Sequence, residues 1–401
     1  MEVRALVVSF AGIAAVLFAA SWLSSRLRLP TPTAQFLLGA VAANSVVALG
    51  YDTGLRYQNF HDLVFYVFLP VLVFTAAFAI DAGKLKRQWV QVSSLAVAGL
   101  LLTTVFTAVC LYYAINHPSG FPWLAALLTG ALLAATDPAA ATSQPWLHES
   151  RPRLALLLEG ESLFNDATAV VLFSVILSLA LQAGDTTAAA ISQSAALTFI
   201  WEISGGLLIG LAAGAAGYYL SRSAALSHRL WLGLALAFAV YHLSLSIHAS
   251  GVVACLACGL WMGQDADQEP AAKQQWVLLG DTTNGILFVL MGATITVSMF
   301  TERWLAMLLA IAAVVVARFV SVHSVLGALA GFGRYSVSLP VNLQERNLVG
   351  LLGMRGAITI ALVLVLPVEL PYWWTVQSIA YGVVLFDLLV TAPLMPVLLK
   401  R

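Results

Sequence analysis

The feature that most constrains this chain is a series of apolar stretches, each about 20 residues long, separated by short polar loops. A bilayer core about 30 Å thick needs roughly that length of helix to cross it. Of the 401 residues, 61% are hydrophobic and only 9% are charged, against about 25% charged in an ordinary soluble domain. Lipid leaves backbone groups no outside hydrogen-bond partner, which favours helices. The sequence therefore predicts an all-α polytopic membrane protein.

Hydropathy predicts about thirteen transmembrane helices in one membrane domain over residues 1–401. No loop is long enough for a soluble domain, and the chain stops at Lys400-Arg401, so no regulatory domain is expected. Thirteen helices suit two six-helix inverted repeats plus one extra helix. The predicted spans are 3–23, 31–50, 60–80, 91–115, 122–142, 152–182, 197–219, 228–246, 250–264, 275–298, 303–326, 346–366 and 373–399.

Loop charge predicts the orientation, because basic residues are retained on the cytoplasmic side. With thirteen spans, fourteen basic residues fall on the side of the C-terminus and three on the side of the N-terminus. The C-terminus is therefore predicted to be cytoplasmic and the N-terminus outside, in a plasma or inner membrane. A formal net charge of zero argues against nucleic acid as a partner. The fourteen are Arg26, Arg28, Lys84, Lys86, Arg87, Arg151, Arg153, Arg222, Arg229, Lys273, Arg334, Arg346, Lys400 and Arg401, against Arg4, Arg56 and Arg303.

A helix interruption is predicted in the fifth span, at Thr136-Asp137-Pro138. Pro138 has no N–H, and its ring clashes with the preceding turn, so the helix should break there. Inverted-repeat transporters place their substrate site at such breaks, near the bilayer midplane. The alternative is a simple proline kink in which Asp137 caps the second half-helix. We favour a site, because a carboxylate inside a membrane is costly without a function.

A second polar element opens the sixth span, with three carboxylates between Glu159 and Asp166. On a helix, Glu161 shares a face with Asn165, and Ser162 shares a face with Asp166. Asp166 lies about 14 residues into its helix, or about 21 Å along it. Asp137 lies at a similar distance along an antiparallel helix, so the two carboxylates are predicted to meet in mid-membrane.

A third element, Gly353-Met354-Arg355-Gly356, breaks the twelfth span. Glycines permit unwinding and close helix approach, and Arg318 in the eleventh span is a second intramembrane arginine. Each buried arginine requires a carboxylate partner, for which Glu161 and Glu159 are the candidates. Asp281 and Asp387 are further intramembrane acids to which the pattern assigns no role.

Together these residues resemble a known family, the sodium/proton antiporters of the NhaP and NHE type. The Thr136-Asp137-Pro138 break, the Glu161-Ser162-x-x-Asn165-Asp166 signature and the Gly353-Met354-Arg355-Gly356 run are similar to its three hallmarks and occur in the family's order. The resemblance spans the whole membrane domain. It implies crossing broken helices, exchange of Na⁺ (or Li⁺ or K⁺) for H⁺ by alternating access, a role in pH homeostasis, and a homodimer in lipid.

The resemblance also implies residue roles within the monovalent cation:proton antiporter superfamily. Asp166 would bind the proton or the cation, and Thr136, Ser162 and Asp137 would complete an oxygen shell for Na⁺. Glu161 would pair with Arg318, while Asn165 would orient the site. The Asn165-Asp166 pair marks the electroneutral branch. Many prokaryotic members carry a glutamate where this chain has Thr75, a departure that bears on cation preference.

Two other functions remain as alternatives. A sodium-coupled organic solute symporter would share the inverted-repeat architecture but would need a larger cavity. An intramembrane aspartyl protease would use two facing aspartates, here Asp137 and Asp166, but its flexible Gly-x-Gly-Asp type motifs are missing. We therefore expect a transporter and not an enzyme, with no cofactor beyond the transported ions.

Overall fold

The computed structural model describes residues 3–27, 29–50, 62–115, 121–142, 145–182, 188–222, 226–264, 270–331, 341–370 and 372–399. Over these ranges the regular structure is helical, apart from one isolated backbone bridge. Five of the basic residues used to predict the orientation lie outside the described ranges: Arg28, Arg56, Arg334, Lys400 and Arg401.

We number the helices in chain order, from α1 to α17. Two helices, α3 and α4, contain π-helical turns, and a third π-helical turn at Asp387–Thr391 joins α16 to α17. The helices are α1 (Val3–Leu27), α2 (Thr31–Ala48), α3 (Val64–Ala79), α4 (Ala82–Ala114), α5 (Trp123–Ala134), α6 (Ala139–Thr142), α7 (Pro145–Ser150), α8 (Pro152–Gln182), α9 (Ala188–Arg222), α10 (Leu226–Ser246), α11 (Gly251–Met262), α12 (Pro270–Thr294), α13 (Val297–Gly331), α14 (Leu343–Leu351), α15 (Ala357–Leu364), α16 (Trp373–Phe386) and α17 (Ala392–Leu399).

Within the described ranges, eight helical segments are long and apolar enough to cross a membrane: α1, α4, α8, α9, α10, α12, α13 and the segment Trp373–Met395. Three shorter apolar helices, α3, α5 and α11, accompany them. The predicted starts at 91, 197 and 303 were too late, since these helices begin at Ala82, Ala188 and Val297. Hydropathy detects the apolar part of a helix, whereas the backbone hydrogen bonds continue through polar turns at its ends.

The interruptions predicted in the fifth and twelfth spans are both present. Helix α5 ends at Ala134 and α6 begins at Ala139, so the chain is unwound around Pro138. Helix α14 ends at Leu351 and α15 begins at Ala357. The two unwound segments cross as an antiparallel bridge, in which the N–H of Asp137 donates to the carbonyl of Met354 at 2.6 Å. The fifth and twelfth spans therefore meet at their breaks.

The core of the bundle surrounds this crossing. Every residue of α15 is buried, as are nine of the twelve residues of α5. Helix α4 packs against α5 and α13, and α8 packs against α5. Large apolar side chains of α1 and α9, such as Phe18 and Leu208, are exposed at the periphery. An apolar periphery around an apolar core is unusual for a soluble protein and suits contact with lipid.

Candidate functional site

A buried ion pair lies beside the crossing of the broken helices. The guanidinium of Arg318 on α13 donates from Nη1 to Glu161 Oε1 at 2.8 Å and from Nη2 to Glu161 Oε2 at 2.9 Å. Glu161 is 1% exposed and Arg318 is 2% exposed. Two parallel hydrogen bonds of this kind are the strongest geometry available to an arginine and a carboxylate. The pair connects α8 to α13 in the middle of the bundle.

Asn165 and Thr136 complete a polar network around Glu161. The amide of Asn165 donates from Nδ2 to Glu161 Oε1 at 2.9 Å and to Thr136 Oγ1 at 3.3 Å. Thr136 in turn donates to Glu161 Oε2 at 3.4 Å. The hydroxyl of Thr136 therefore points to the ion pair. Its side chain is absent from the set that lines the neighbouring cavity.

Close backbone approach explains the two glycines that flank Met354 and Arg355. A Cβ added at Gly353 would overlap the guanidinium of Arg318, and one added at Gly356 would overlap the side chain of Asp137. Neither neighbour could move without disturbing a buried polar group. The twelfth span therefore needs glycine at both positions in order to pass the ion pair and the aspartate.

Arg355 has a different partner from the one predicted. Its carboxylate neighbour is Asp387, with Nη1 at 3.9 Å from Oδ2, and its backbone N–H donates to the same oxygen at 2.8 Å. The guanidinium also donates to the carbonyls of Leu133 and Gly353, at 3.0 and 2.8 Å. It thereby satisfies a carbonyl at the end of α5 and another just after α14, groups that helix ends leave unpaired.

The prediction that Glu159 would pair with a buried arginine was wrong. Glu159 lies closer to the start of α8, where its Oε1 is 3.4 Å from Nε2 of His148 on α7. Asp387, the observed partner of Arg355, lies 228 residues after Glu159 in the chain, and the sequence pattern assigned it no role. The clue was that Asp387 is an intramembrane acid, and such groups need a partner.

A cavity of about 380 Å³ opens beside this network. Four carboxylates line it, from Asp137, Glu159, Asp166 and Asp281, together with the hydroxyl-bearing residues Thr75, Thr142 and Ser162 and the amide of Asn284. No lysine or arginine of the described chain is among the lining residues. The remainder of the wall is apolar, including Trp276 and Leu72. The surroundings of this cavity favour a cation over an anion.

The structure brings Asp166, Asp137 and Ser162 together at this cavity. No protein group among the described residues donates a hydrogen bond to the Asp166 carboxylate. The carboxylates of Asp137 and Glu161 are close enough to interact with it electrostatically. Asp137 accepts a hydrogen bond from the N–H of Ala139 at 2.8 Å, so it also caps the short helix α6. Unlike Asp137, Asp166 therefore has a carboxylate that is free to bind a proton or a cation.

Comparison with known proteins places the chain in a family. The profile of the family described as "Sodium/hydrogen exchanger, transmembrane" matches residues 13–401. The chain belongs to the sodium/hydrogen exchanger family. It is accordingly an integral, multi-pass membrane protein of a transporter family.

Two curated relatives illustrate the sequence similarity of this chain to known proteins. It is 30% identical over 350 residues to the Na(+)/H(+) antiporter NhaP of Pseudomonas aeruginosa, covering 84% of this chain and 80% of that protein. It is 29% identical over 348 residues to the Na(+)/H(+) antiporter ApNhaP of Aphanothece halophytica, covering 85% of this chain and 64% of that protein. The match spans somewhat less than two thirds of the length of several such relatives.

The fold of this chain is similar to that of a solved structure, the sodium proton antiporter MjNhaP1 from Methanocaldococcus jannaschii at pH 8. The TM-score is 0.80 at 20% sequence identity, and the alignment covers 99% of both chains. The likeness therefore extends over the whole helical bundle.

Proposed function

We propose that this exchanger moves a monovalent cation across the membrane in exchange for H⁺, with Na⁺ as the first candidate. Its curated relatives carry names that specify Na⁺ and H⁺. The observation that carries the proposal is the position of Asp166, whose carboxylate accepts no hydrogen bond from the described residues and lines an acidic cavity at the crossing of two broken helices.

The exchange follows from competition at one carboxylate. A charged carboxylate removed from bulk water is unstable unless something neutralises it. At Asp166 either a proton or a cation can do so, and binding of one displaces the other. If the cavity opens to alternate sides of the membrane, each opening releases one ion and takes up the other. This chemistry needs no cofactor and makes or breaks no covalent bond beyond the O–H of the carboxyl group.

In this proposal the cation is bound by oxygen atoms from helix α8 and from the break between α5 and α6. Asp166 and Ser162 come from one face of α8, and Asp137 comes from the break between α5 and α6. Thr136 would contribute from the ion-pair side, where its hydroxyl donates to Glu161. Asn165 keeps Glu161 in place and is neutral, so Asp166 is the group that changes its occupant. Exchange is therefore proposed to be electroneutral, one cation for one proton.

The wider architecture is also part of the proposal. Thirteen membrane crossings in two inverted six-helix repeats would relate the α5–α6 break to the α14–α15 break by pseudo-symmetry. The C-terminus would be cytoplasmic and the N-terminus outside. Two copies would form a homodimer in the lipid bilayer. The exposed apolar faces of α1 and α9 support extensive contact with lipid or with a second copy.

The test is transport by purified protein in liposomes that contain a pH-sensitive dye. The parent should alkalinise the lumen when Na⁺ or Li⁺ is added outside, because inward movement of the cation drives H⁺ outward. Asp166→Asn should insert normally but show no cation-dependent proton movement. Asp81→Asn is the matched control, since that aspartate is half-exposed and pairs with Lys84 on the surface. Exchange by Asp166→Asn at the parental rate would refute the proposal.

A further inference from the structure

Helix α12 forms one wall of the acidic cavity through a single stripe of residues. Val277, Gly280, Asp281 and Asn284 stand at i, i+3, i+4 and i+7 along the helix, and all line the cavity. Residues at that spacing share one face of a helix. A Cβ added at Gly280 would lie 2.9 Å from Oγ1 of Thr75 on α3. The polar stripe is therefore held against the cavity by close packing of α12 on α3.

The side-chain amide oxygen of Asn284 lies at this wall. Its Oδ1 atom is shielded from solvent and has no hydrogen-bond partner within the described part of the chain. Buried polar atoms are rarely left unpaired, and those that are need an explanation. An amide oxygen is a hard, neutral ligand of the kind that binds cations which prefer oxygen.

Asn284 and Asp166 lie at equal distances along their helices as the structure describes them. Asn284 follows Pro270, the first residue of α12, by 14 residues, and Asp166 follows Pro152, the first residue of α8, by 14 residues. Both positions are about 21 Å along their helices at 1.5 Å per residue. Asp281 is three residues shallower than Asn284 on the same stripe, about 4.5 Å nearer the start of α12.

Asp281 is the more accessible of the two residues. It is an exposed position at the cavity, and no described lysine or arginine lies within ion-pair distance of its carboxylate. A cleft lined by charge of one sign raises the local concentration of counter-ions. Asp281 therefore has the charge and the position to draw a cation towards the deeper oxygens.

We propose that α12 supplies the second wall of the cation path, with Asp281 concentrating cations at the cavity and Asn284 binding the ion as a neutral oxygen ligand opposite α8. The inference rests on the proposed exchange function, because it assigns further residues to the same site. Asp281 determines how strongly the exchanger attracts any monovalent cation. Asn284 determines which cation it prefers, since a direct ligand responds to ionic radius.

The two residues predict different kinetic signatures. Asp281→Asn keeps the side-chain shape and removes the charge, so the apparent KM for Na⁺ should rise roughly tenfold at low ionic strength, with the maximal rate retained. The increase should shrink in 0.15 M choline chloride, where the Debye length is about 8 Å instead of about 30 Å at 0.01 M. Asp281→Glu should restore the parental KM.

Removal of the ligand should change selectivity instead. Asn284→Leu has a similar volume and no oxygen, so the ratio of apparent KM values for Na⁺ and Li⁺ should change severalfold and should not respond to choline chloride. Asn284→Gln should retain binding with an altered ratio. Thr282→Val is the control on the same helix, because Thr282 is exposed and its hydroxyl bonds only to the carbonyl of Leu278 at 2.7 Å.

The measurements are Na⁺ and Li⁺ titrations of exchange in liposomes, repeated as cation-dependent thermal stabilisation in detergent, which reports binding without transport. Parent and Asp166→Asn in the same series test the exchange itself. If the parent exchanges ions and Asp281→Asn and Asn284→Leu both match Thr282→Val in KM, selectivity and thermal shift, the role of α12 is refuted while the exchange function stands. Absence of exchange in the parent would instead refute the exchange function.

Discussion

Breaking the ion pair between Glu161 and Arg318 should destabilise the protein, and the two halves of the pair should not be equivalent. Both residues are at most 2% exposed and are joined by two hydrogen bonds of 2.8 and 2.9 Å. Loss of one partner from a buried pair costs about 3–5 kcal/mol, because the other charge is left uncompensated. The two single variants differ because the charge that remains can be neutralised in one of them and not in the other.

Removal of Arg318 leaves a carboxylate that can be neutralised by taking up a proton. Removal of the Glu161 charge leaves a guanidinium, which cannot be deprotonated in a protein. Asn165 also donates to Glu161 at 2.9 Å, and its amide would lose a charged acceptor. We therefore expect Glu161→Gln to lie at the upper end of the range and Arg318→Gln at the lower end.

These free energies convert to a measurable shift in melting temperature. For 401 residues, an unfolding entropy of about 2.1 cal/mol/K per residue gives about 0.8 kcal/mol/K in total. A loss of 3–5 kcal/mol then lowers Tm by about 4–6 °C. The double variant Glu161→Gln/Arg318→Gln should lose less than the sum of the two single variants, since neither charge remains unpaired.

The assay is thermal unfolding in detergent, followed by fluorescence or by loss of the monodisperse peak in size-exclusion chromatography. Glu149→Gln and Arg87→Gln serve as controls, because both positions are exposed. Single variants that melt with the parent, or a double variant whose loss equals the sum of the single losses, would contradict the reasoning.

Three further predictions follow from the same geometry. A membrane potential imposed with K⁺ and valinomycin should leave the rate of Na⁺/H⁺ exchange unchanged, because one charge moves each way. A voltage-dependent rate in liposomes would mean that a second carboxylate also titrates, and Asp137 is the candidate. Asp387→Asn should lower Tm in detergent by less than Glu161→Gln, since the contact of Asp387 with the Arg355 guanidinium is 3.9 Å long and Arg355 keeps two carbonyl acceptors. Losing a hydrogen bond to a charged group costs about 1.5–3 kcal/mol. A decrease in Tm equal to or larger than that of Glu161→Gln would be inconsistent with this ranking. Thr75→Glu should lower the apparent KM for Na⁺, because Thr75 lines the cavity and the new carboxylate adds negative charge; an unchanged KM in a Na⁺ titration would place position 75 away from the ion path.

The sequence by itself determined the elements whose causes are local. Apolar length predicted helices, and the missing N–H of Pro138 predicted the break that separates α5 from α6. The spacing of four residues placed Glu161 and Asn165 on one face of α8, where their side chains are hydrogen-bonded at 2.9 Å. These features depend on a few neighbouring residues and on the period of the helix, so they can be deduced without knowing how the helices pack.

Only the tertiary structure decided which distant residues meet. Arg355 pairs with Asp387 and not with Glu159, although all three are polar groups within apolar spans. The hydroxyl of Thr136 donates to Glu161, next to the unwound segment that is bridged to Met354. The stripe on α12 reaches the cavity because Gly280 lets that helix pack closely against Thr75. Such pairings depend on the rotation and approach of whole helices, which are set by side-chain packing across the bundle and leave no periodic signal in the sequence.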